Sequence, residues 1–413
     1  MAQPVRGIIS EKYKVNNVKP WFNTLIVDGS NLLRQCMADT KTNANGIHYG
    51  GIFQFFLQIK LLLEKVRYDY VYVVFDSTDS GVLRYKYYNG YKANRGKNYA
   101  TRLMGLDGDK TDYWVRLETT LKSMEKSIYK KTKKREKSES MTKDELDLAE
   151  QRRIKKEIVD ENFERERNIV MMYCVEMSIR VLFDDVTEGD DFIAYYVQHK
   201  QPNERVVIVS TDNDITQLIS PTVNVYNRNL KAYIKPSNHV KLKGYPSENV
   251  VPLKILCGDT SDNIGHIMGL SEKRLFELMP EFRERPVTIE EVIDRARERV
   301  DERIKEKKKP LKWHENIING VHTMEYDGDM YEINRKIIDL SEPLMSETAR
   351  ESIEEMMYAP MDPEGRSYGN LYDMICRDGI EELMDHNAFS RMFAPFKEVS
   401  DRERKRYQNA MSE

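Results

Sequence analysis

Three short apolar runs along the chain each end in acidic residues. The segment "NTLIVDGSN" places Asp28 after such a run, and "YVYVVFDSTD" places Asp76 in the same way. A third segment, "RVVIVSTDND", ends in Asp212 and Asp214. Short apolar runs that are bounded by turn residues are typical of buried strands. The pattern therefore predicts three strands, each of which presents carboxylates where it ends.

Apolar residues at helical spacing separate these strands, in residues 51–66 and 168–183. Strands that alternate with helices predict a mostly parallel sheet with helices on both faces. In such sheets ligands bind at the carboxyl ends of the strands, so the acids should collect on one rim although they lie far apart in the sequence. After residue 249 the pattern predicts a helix, a glycine-containing turn and a second helix. The segments "EEVIDRARERVDERIKEKKK" and "SETARESIEEMM" predict further helices toward the end of the chain.

Between residues 101 and 167 apolar residues become sparse and charged residues dense. This stretch has no proline and is rich in strong helix formers, so it predicts one or two long exposed helices inserted into the sheet domain. Such an insert is either a solvated helical hairpin or a basic arm over the acidic rim. The residues that favour the basic arm lie in "SIYKKTKKREK" and include Lys130, Lys131, Lys133 and Lys134.

These patterns predict four regions along the chain. They are an N-terminal arm (1–20), an α/β core (21–250) with the basic helical insert (101–167), a helix–turn–helix region (251–285) and a mainly helical C-terminal region (286–413).

Composition narrows the class of protein further. The chain has 413 residues and a formal net charge of −3, while 32% of its residues are charged. The four cysteines lie far apart, a distribution that argues against a zinc site or a disulfide framework and suits a reducing cytoplasm. No apolar run approaches the length of a membrane span, and the first residues have no signal-peptide core. We therefore expect a cytoplasmic protein without a membrane partner, in the host cytoplasm if a phage encodes it.

Two further acidic clusters complete the set of candidate ligands. Glu188, Asp190 and Asp191 lie in "TEGDDFIAYYV", and Asp259 and Asp262 lie in "GDTSDN". With the acids that follow the strands, nine carboxylates stand in five short segments without a matching set of lysines or arginines beside them. Ligand sets made of oxygen atoms alone select Mg²⁺ or Mn²⁺ over zinc or copper, and this many acids suggests two ions. Any single acid could instead cap a helix, but the four that follow apolar strands together favour metal binding.

In these segments the chain resembles the 5'-nuclease superfamily, which includes flap endonucleases, the 5'-3' exonuclease domains of bacterial DNA polymerases and the phage ribonuclease H branch. The matching segments come in the family's order over residues 21–280, and residues 334–344 ("NRKIIDLSEPL") resemble the region after the core in the phage branch. The resemblance implies an α/β, PIN-like core with a central mostly parallel sheet, an inserted helical arch and a helix–three-turn–helix. It also implies metal-dependent hydrolysis of phosphodiesters near 5' ends and at junctions between single and double strands.

The resemblance further implies which acids hold the two ions, Mg²⁺ with Mn²⁺ as a substitute. Carried over residue by residue, the first group is Asp28, Asp76, Glu188, Asp190 and Asp191. The second group is Asp212, Asp214, Asp259 and Asp262, of which Asp214 and Asp262 can act through water. We expect turnover to fall steeply when Asp212 is replaced by asparagine.

The segment "RYKYYNGYKANRGK" stands where the family's arch begins. Lys92 and Arg95 match the family's basic pair, which the resemblance places on the scissile phosphate or the 5' strand, where cations stabilise negative charge. Arg84 matches another basic position, and Tyr91 matches an aromatic residue that stacks on a base. The alternative is that this segment is a solvated loop rich in tyrosine.

The turn "NIGHIMGLSEKR" resembles the helix–three-turn–helix that binds duplex DNA in this family. Gly265 and Gly269 would let the backbone approach phosphates, and Lys273 belongs to the same expected interface. The family's hairpin often holds a monovalent ion, which would be a further cofactor. The expected Gly-hydrophobic-Gly reads Gly269-Leu270-Ser271 here, a departure that bears on this ion site.

The leading hypothesis is a 5' nuclease in which a metal-activated water attacks a phosphodiester in line and leaves a 5'-phosphate and a 3'-hydroxyl. Such an enzyme removes RNA primers or flaps from lagging-strand intermediates, acts on DNA and RNA–DNA duplexes as a monomer and works beside a single-strand-binding protein. A PIN-type RNA nuclease is one alternative, but that group usually has fewer acids and lacks the helix–three-turn–helix. A branched-DNA-binding scaffold that has lost catalysis is the other, and it predicts missing acids, of which this chain has none.

Overall fold

The computed structural model describes residues 21–77, 79–93 and 162–412. The strands in this part of the chain are β1 Phe22–Asp28, β2 Tyr70–Phe75, β3 Arg180–Phe183, β4 Glu204–Val209, β5 Val223–Asn227 and β6 Ala232–Ile234. They form one sheet in the order β3-β2-β1-β4-β5-β6. All neighbouring strands are parallel except β5 and β6, which are antiparallel.

The centre of the sheet explains why the acids meet. The chain leaves β1 toward β2 on one side and later adds β4 on the other side, so the strand order reverses at β1. The register pairs Asp28 with Val74 of β2 and Val27 with Val209 of β4, which aligns the carboxyl ends of three strands. A reversal of strand order opens a crevice at this edge of a parallel sheet. The predicted mostly parallel sheet, with acids collected on one rim, is confirmed.

Helices cover both faces of the sheet and form a third packed group. They are α1 Gly29–Cys36, α2 Gly50–Leu63, α3 Val82–Tyr85, α4 162–176, α5 Gly189–His199, α6 Pro236–Lys243, α7 Val250–Cys257, α8 Glu272–Leu278, α9 Ile289–Lys305, α10 Lys312–Ile318, α11 Met330–Ile338, α12 Glu347–Met356, α13 Tyr368–Asp378 and α14 His386–Ser412. Short 3-10 helices at Asp214–Leu218, Ser247–Asn249, Pro280–Arg283 and Glu381–Leu383 complete the described chain. None of the helices in these ranges has both the length and the apolar character needed to cross a membrane.

Three hydrophobic clusters hold these elements together. One face of the sheet packs against α1, α2, α4, α13 and α14. The opposite face packs against α5 and α12. The third cluster contains the five helices from α7 through α11, together with Tyr88 and Tyr91 from the segment after α3. The helical region after residue 286 therefore contributes to all three clusters, and its last two helices lie on the sheet.

The structure corrects two boundaries that the sequence predicts. The helix expected over residues 168–183 ends at residue 176, because Ser178 adopts a left-handed conformation with φ of 55° and the chain then enters β3. The insert expected over residues 101–167 ends earlier than predicted, because Phe163 and Glu166 are already buried in α4. The remainder of that insert lies outside the described residues.

Candidate functional site

Eight of the nine predicted ligands line one cavity at the carboxyl edge of the sheet. They are Asp28, Asp76, Glu188, Asp190, Asp212, Asp214, Asp259 and Asp262. They come from the ends of β1, β2 and β4, from the start of α5 and from the turn after α7. The ninth predicted ligand, Asp191, does not line this cavity.

Hydrogen bonds fix the aspartates that follow the strands. Asp28 Oδ1 accepts from the backbone N–H of Asn31 at 3.0 Å, and its Oδ2 accepts from the Ser210 hydroxyl at 2.8 Å. Asp28 thus does cap α1, but the same contacts also hold its carboxylate at the cavity. Asp76 Oδ1 accepts from the backbone N–H of Gly189 at 2.7 Å. A side chain at Gly189 would place its Cβ 3.2 Å from that oxygen, so glycine makes this close approach possible.

One half of the cavity consists of four aspartates that are not paired with a described lysine or arginine, although Arg34 and Lys92 also line the cavity. Asp28, Asp76, Asp190 and Asp212 make no salt bridge there. Burial raises the pKa of Asp28 from 3.8 to about 7, and the charge of Asp76 adds to the shift. Burial and the charges of Asp212 and Asp28 raise the pKa of Asp190 well above its ordinary value. Clustered carboxylates whose ionised forms are destabilised in this way favour a bound cation.

In the other half of the cavity two acids pair with Lys254, a residue that does not belong to the cavity lining and that was not among the predicted site residues. Oxygens of Asp214, Asp259 and Asp262 lie within 4.8 Å of one another. Lys254 Nζ is 2.6 Å from Asp259 Oδ2 and also contacts Asp214 Oδ1. Burial would raise the pKa of Asp259, but Lys254 lowers it below the ordinary value. The sequence does contain a signal for this lysine, because Lys254 is the only charged residue of the apolar helix that runs directly into "GDTSDN".

Arg84 and Asp191 bind each other inside the protein. Two guanidinium nitrogens of Arg84 donate to both oxygens of Asp191, at 2.5 and 3.0 Å. Arg84 also pairs with Glu188 at 2.9 Å, and its Nε donates to the carbonyl of Ile337 at 2.8 Å. Asp191 is fully buried and accepts a further bond from the backbone N–H of Leu344. This geometry favours a structural role for Asp191, whereas Arg84 also lines the cavity, and their roles as metal ligand and nucleic-acid contact stay predictions.

Tyr91 is also held from within the protein. The residue is 2% exposed although it belongs to the lining of the cavity, and its hydroxyl donates to Glu188 at 3.0 Å. This contact favours a structural role, and stacking on a base stays a prediction. Lys92 lines the cavity, and its Nζ contacts Glu188. Lys92 also has an unusual positive φ of 53°, held by a hydrogen bond from its backbone N–H to the carbonyl of Asp262 at 2.9 Å.

The expectation that no cations stand beside the nine acids is thus wrong for four of them. Arg84, Lys92 and Lys254 contact Glu188, Asp191, Asp214 and Asp259. Arg84 and Lys92 lie far in sequence from the acids that they contact, a proximity that residue spacing does not show, whereas Lys254 stands five residues before Asp259.

The predicted helix–turn–helix is present as α7, a turn over residues 258–271, and α8. Gly269 has a φ of 82°, a conformation that favours glycine. The predicted contact of Gly265 with phosphates stays a prediction, and the structure adds a packing role: its backbone N–H donates to the Tyr326 hydroxyl, and an added Cβ would lie 2.6 Å from atoms of His322. Glycine is therefore required at Gly265 by internal packing. Lys273 is 86% exposed on α8.

Five predicted nucleic-acid contacts lie outside the described residues. They are Arg95, Lys130, Lys131, Lys133 and Lys134.

A family model described as the 5'-3' exonuclease, N-terminal resolvase-like domain matches residues 23–244. The chain is 34% identical over 96 residues to DNA polymerase I of Rhizobium leguminosarum, which is 23% of this chain and 9% of that protein. It is 33% identical over 110 residues to a 5'-3' exonuclease of Buchnera aphidicola, which is 26% of this chain and 38% of that protein. The chain thus spans less than half the length of these curated relatives.

Among solved structures, the chain is similar to a flap endonuclease of bacteriophage T5 in a pseudo-enzyme-product complex with DNA and metal ions. The TM-score is 0.50 at 16% sequence identity, over 92% of this chain and 99% of that chain. This likeness concerns the fold alone. The family model covers more than half of the 413 residues and includes the strands that carry the acids to one edge. The chain therefore belongs to the 5'-3' exonuclease family of 5' nucleases.

Proposed function

We propose that the chain is a metal-dependent 5' nuclease that hydrolyses phosphodiesters near 5' ends and at junctions of DNA or RNA–DNA. The observation that carries this proposal is the group formed by Asp28, Asp76, Asp190 and Asp212. These four aspartates converge at the reversal point of the sheet and make no salt bridge within the described chain. A structural scaffold gains nothing from carboxylates that repel one another, whereas a cation site requires them.

The donor atoms fit hard divalent cations. All of the acidic side chains offer oxygen, and no histidine or cysteine of the described ranges lines the cavity, which matches the preference of Mg²⁺ and Mn²⁺. Asp28, Asp76, Asp190 and Asp212 would hold the first ion, and Asp214, Asp259 and Asp262 the second. When bound, such ions polarise a phosphodiester and lower the pKa of an attacking water molecule. A monovalent ion at the turn around Gly269 remains part of the proposal, because the family resemblance implies it.

This grouping of the acids differs from the one that the resemblance implies: Asp212 joins the first group because its charge acts on Asp190, and Glu188 leaves it because Arg84 and Lys92 bind it. Asp191, which binds Arg84 and does not line the cavity, also leaves the first group.

The protein's own residues have distinct roles in this proposal. Glu188 anchors Lys92, whose ammonium lies at the cavity and would contact the scissile phosphate. Arg84 and Tyr91 hold Glu188 in place from behind, at 2.9 and 3.0 Å. Burial would raise the pKa of Glu188, but the charges of Lys92 and Arg84 lower it, so this carboxylate stays ionised and keeps Lys92 oriented. Arg95 would contact the same phosphate or the 5' strand.

The proposed substrate, a nucleic-acid duplex with a 5' end or flap, is inferred from the family of the chain and from its fold. The exposed Lys273 and the turn at Gly269 would contact the backbone of a duplex, and a 5' flap or end would enter the acidic cavity. The T5 flap endonuclease of similar fold is described with DNA and metal ions. We propose removal of RNA primers or flaps during lagging-strand replication, by a monomer that works in the cytoplasm beside a single-strand-binding protein.

The test is cleavage of a 5'-labelled flap duplex by the full chain with Mg²⁺ and with EDTA. We expect cutting near the junction with Mg²⁺, none with EDTA, and a loss of at least about a thousandfold in Asp212→Asn, the order expected for a metal-coordinating acid. Asp301→Asn, an exposed position on α9, is the matched control and should cut normally. Tight binding of the flap without cutting by the wild-type chain would establish the scaffold alternative instead.

A further inference from the structure

Lys254 lies inside the predicted ligand set, although it comes from an otherwise apolar helix. Its Nζ is 2.6 Å from Asp259 Oδ2 and in contact with Asp214 Oδ1. The side chain of Lys254 is 17% exposed, close to the 19% of Asp214 and the 14% of Asp259. A lysine on an ordinary surface is far more solvated, so this ammonium is a fixed charge beside the acids of the cavity.

Lys254 contacts two of the three carboxylates that would bind a second cation. The oxygens of Asp214, Asp259 and Asp262 lie within 4.8 Å of one another, which lets a single ion contact all three. Lys254 already contacts two of them. A divalent ion that binds there must displace the ammonium or share carboxylates with it, and like charges at such distances repel strongly.

The two halves of the cavity therefore differ. Asp28, Asp76, Asp190 and Asp212 make no salt bridge among the described residues, whereas the other half is already neutralised in part. An ion entering the first half relieves repulsion between carboxylates. An ion entering the second half must also overcome an existing ion pair.

We propose that Lys254 sets the affinity of the second cation site. It holds Asp214 and Asp259 together when no ion is bound there, and it makes the second divalent cation bind more weakly than the first. This inference rests on the proposed function, because it requires that the cavity binds divalent cations. Lys254 acts through the two aspartates and is a positioning residue.

Mn²⁺ binding to the metal-free full chain tests this directly, with unbound Mn²⁺ measured by electron paramagnetic resonance. We expect one tighter and one weaker site in the wild-type chain. Lys254→Met should strengthen the weaker site at least tenfold and leave the tighter site unchanged. Lys241→Met, an exposed lysine on α6, is the matched control and should bind as the wild type does. Lys254→Gln repeats the test with a polar side chain if the methionine variant does not fold.

Two results would overturn the inference in distinguishable ways. A weaker site that stays unchanged or weakens in both Lys254 variants removes the role of Lys254 while the proposed function stands. A wild-type chain that binds no Mn²⁺ removes both. Asp190→Asn assigns the two binding events to the two halves of the cavity, because we expect this variant to lose the tighter Mn²⁺ site only.

A second feature, the lysine-rich segment over residues 303–312, is independent of the cavity. It has six basic residues and one acid, and we call it the lysine loop. Lys305, Lys307, Lys309 and Lys312 are exposed and make no salt bridge among the described residues. Lys308 pairs with Glu306 at 2.9 Å, with both side chains largely exposed. Concentrated positive charge with only one acidic residue in the segment is the electrostatic footprint of a phosphate-binding surface.

The lysine loop is joined to the turn that is expected to bind duplex DNA. Lys312 begins α10, and the next residue, Trp313, lies against Gly269, where an added Cβ would be 3.3 Å from the Trp313 Cβ. Asn316 Nδ2 donates to the carbonyl of Met268 at 2.7 Å. The turn and α10 are therefore one packed unit, and the loop extends from it.

We infer that the lysine loop binds the phosphate backbone of the duplex and extends the interface of the turn. This also rests on the proposed function, because it requires a nucleic-acid duplex as the substrate. It gives residues after 286 a direct part in substrate binding.

The test is binding of a fluorescent flap duplex to the full chain in EDTA over a range of salt concentrations. The variant with Lys307, Lys308 and Lys309 all changed to glutamine should bind at least tenfold more weakly. Its slope of log affinity against log salt should fall by about 0.9 for each phosphate that the variant no longer neutralises. The control changes three exposed lysines on or beside α2 and α14 to glutamine: Lys65, Lys397 and Lys405.

Equal weakening in the loop variant and the control would mean that only net charge matters, and it would overturn the inference. Unchanged binding in the loop variant would overturn it as well. If the wild-type chain binds no duplex, both this inference and the substrate part of the proposed function fail.

Discussion

Asp190 and Asp191 are neighbours in the sequence, but their side chains point in different directions. Asp190 lines the acidic cavity, whereas Asp191 turns into the protein and binds Arg84 through both carboxylate oxygens. Adjacent residues in the first turn of a helix point about 100° apart, so one can face a ligand and the other the core. The same motif thus supplies a candidate metal ligand, Asp190, and the residue that holds Arg84 in place, Asp191.

The Arg84–Asp191 pair predicts a large stability loss when Arg84 is replaced by methionine. Asp191 and Glu188 would then lack a buried partner, and breaking a buried ion pair costs about 3–5 kcal/mol. Denaturant unfolding of Arg84→Met measures the loss. Arg297→Met removes an exposed pair with Asp294 and should change the free energy of unfolding by less than about 0.5 kcal/mol. Equal stability of wild type and Arg84→Met would contradict the structural role of this arginine.

Tyr91→Phe separates a hydrogen-bonding role from a stacking role. The variant keeps the ring but loses the hydroxyl that donates to Glu188, so we expect a loss of about 1 kcal/mol in the free energy of unfolding. Tyr87→Phe, at a residue that is 44% exposed, is the control and should be neutral. If Tyr91→Phe is as stable as wild type and Tyr91→Ala binds DNA poorly at unchanged stability, the stacking role predicted from sequence would be supported.

The raised pKa of Asp28 predicts how metal binding depends on pH. In the metal-free folded chain this pKa is about 7, against an ordinary value of 3.8, so folding favours the protonated form. Asp28 therefore destabilises the metal-free chain increasingly as pH rises from about 4 to 7. A bound divalent ion requires the ionised form, so the increase in Tm on adding Mg²⁺ should be larger at pH 8 than at pH 6. An equal or smaller increase at pH 8 would contradict this account, and Asp28→Asn should reduce the difference.

Gly265→Ala tests whether this glycine serves internal packing. An added Cβ would lie 2.6 Å from side-chain atoms of His322 and Met324, and such overpacking costs about 1–3 kcal/mol. Thermal unfolding should show this loss. Gly369→Ala is the control, because an added Cβ at this helical position would lie 3.6 Å from Ser367 Oγ, an ordinary van der Waals distance, and should be neutral or slightly stabilising. An unchanged Tm in Gly265→Ala would argue that His322 and Met324 move aside freely.

The core of the fold could be predicted because its strands are apolar on both faces. β1, β2 and β4 are the three strands that the apolar runs indicate, and their acids do meet at one edge. The peripheral strands were harder to predict. β3 continues directly from a helix of similar composition, and β5 has the half-buried pattern "VNVYN" at a position where only pairing with β4 shows that it is a strand.

The acid cluster could be predicted from sequence, but its counter-ions could not. Asp28, Asp76 and Asp212 follow strands whose parallel arrangement carries them together. The partners of the remaining acids depend on tertiary contacts: Arg84 reaches Asp191 across 107 residues and Lys92 reaches Glu188 across 96. A basic residue in a motif can form a buried ion pair with acids or contact a ligand. The sequence does not distinguish these two roles, because the distinction depends on how deeply the residue is buried.

The most direct test compares Asp190→Asn with Asp191→Asn in single-turnover cleavage of a flap duplex with Mg²⁺, alongside the Tm of each variant. Asp190→Asn should fold at least as stably as wild type without metal, because it removes a repelled carboxylate, and should lose at least about a thousandfold in rate. Asp191→Asn should lower the Tm and keep Mn²⁺ binding. Cleavage within tenfold of wild type by a folded Asp190→Asn would contradict the assignment of this cavity as the metal centre of a nuclease.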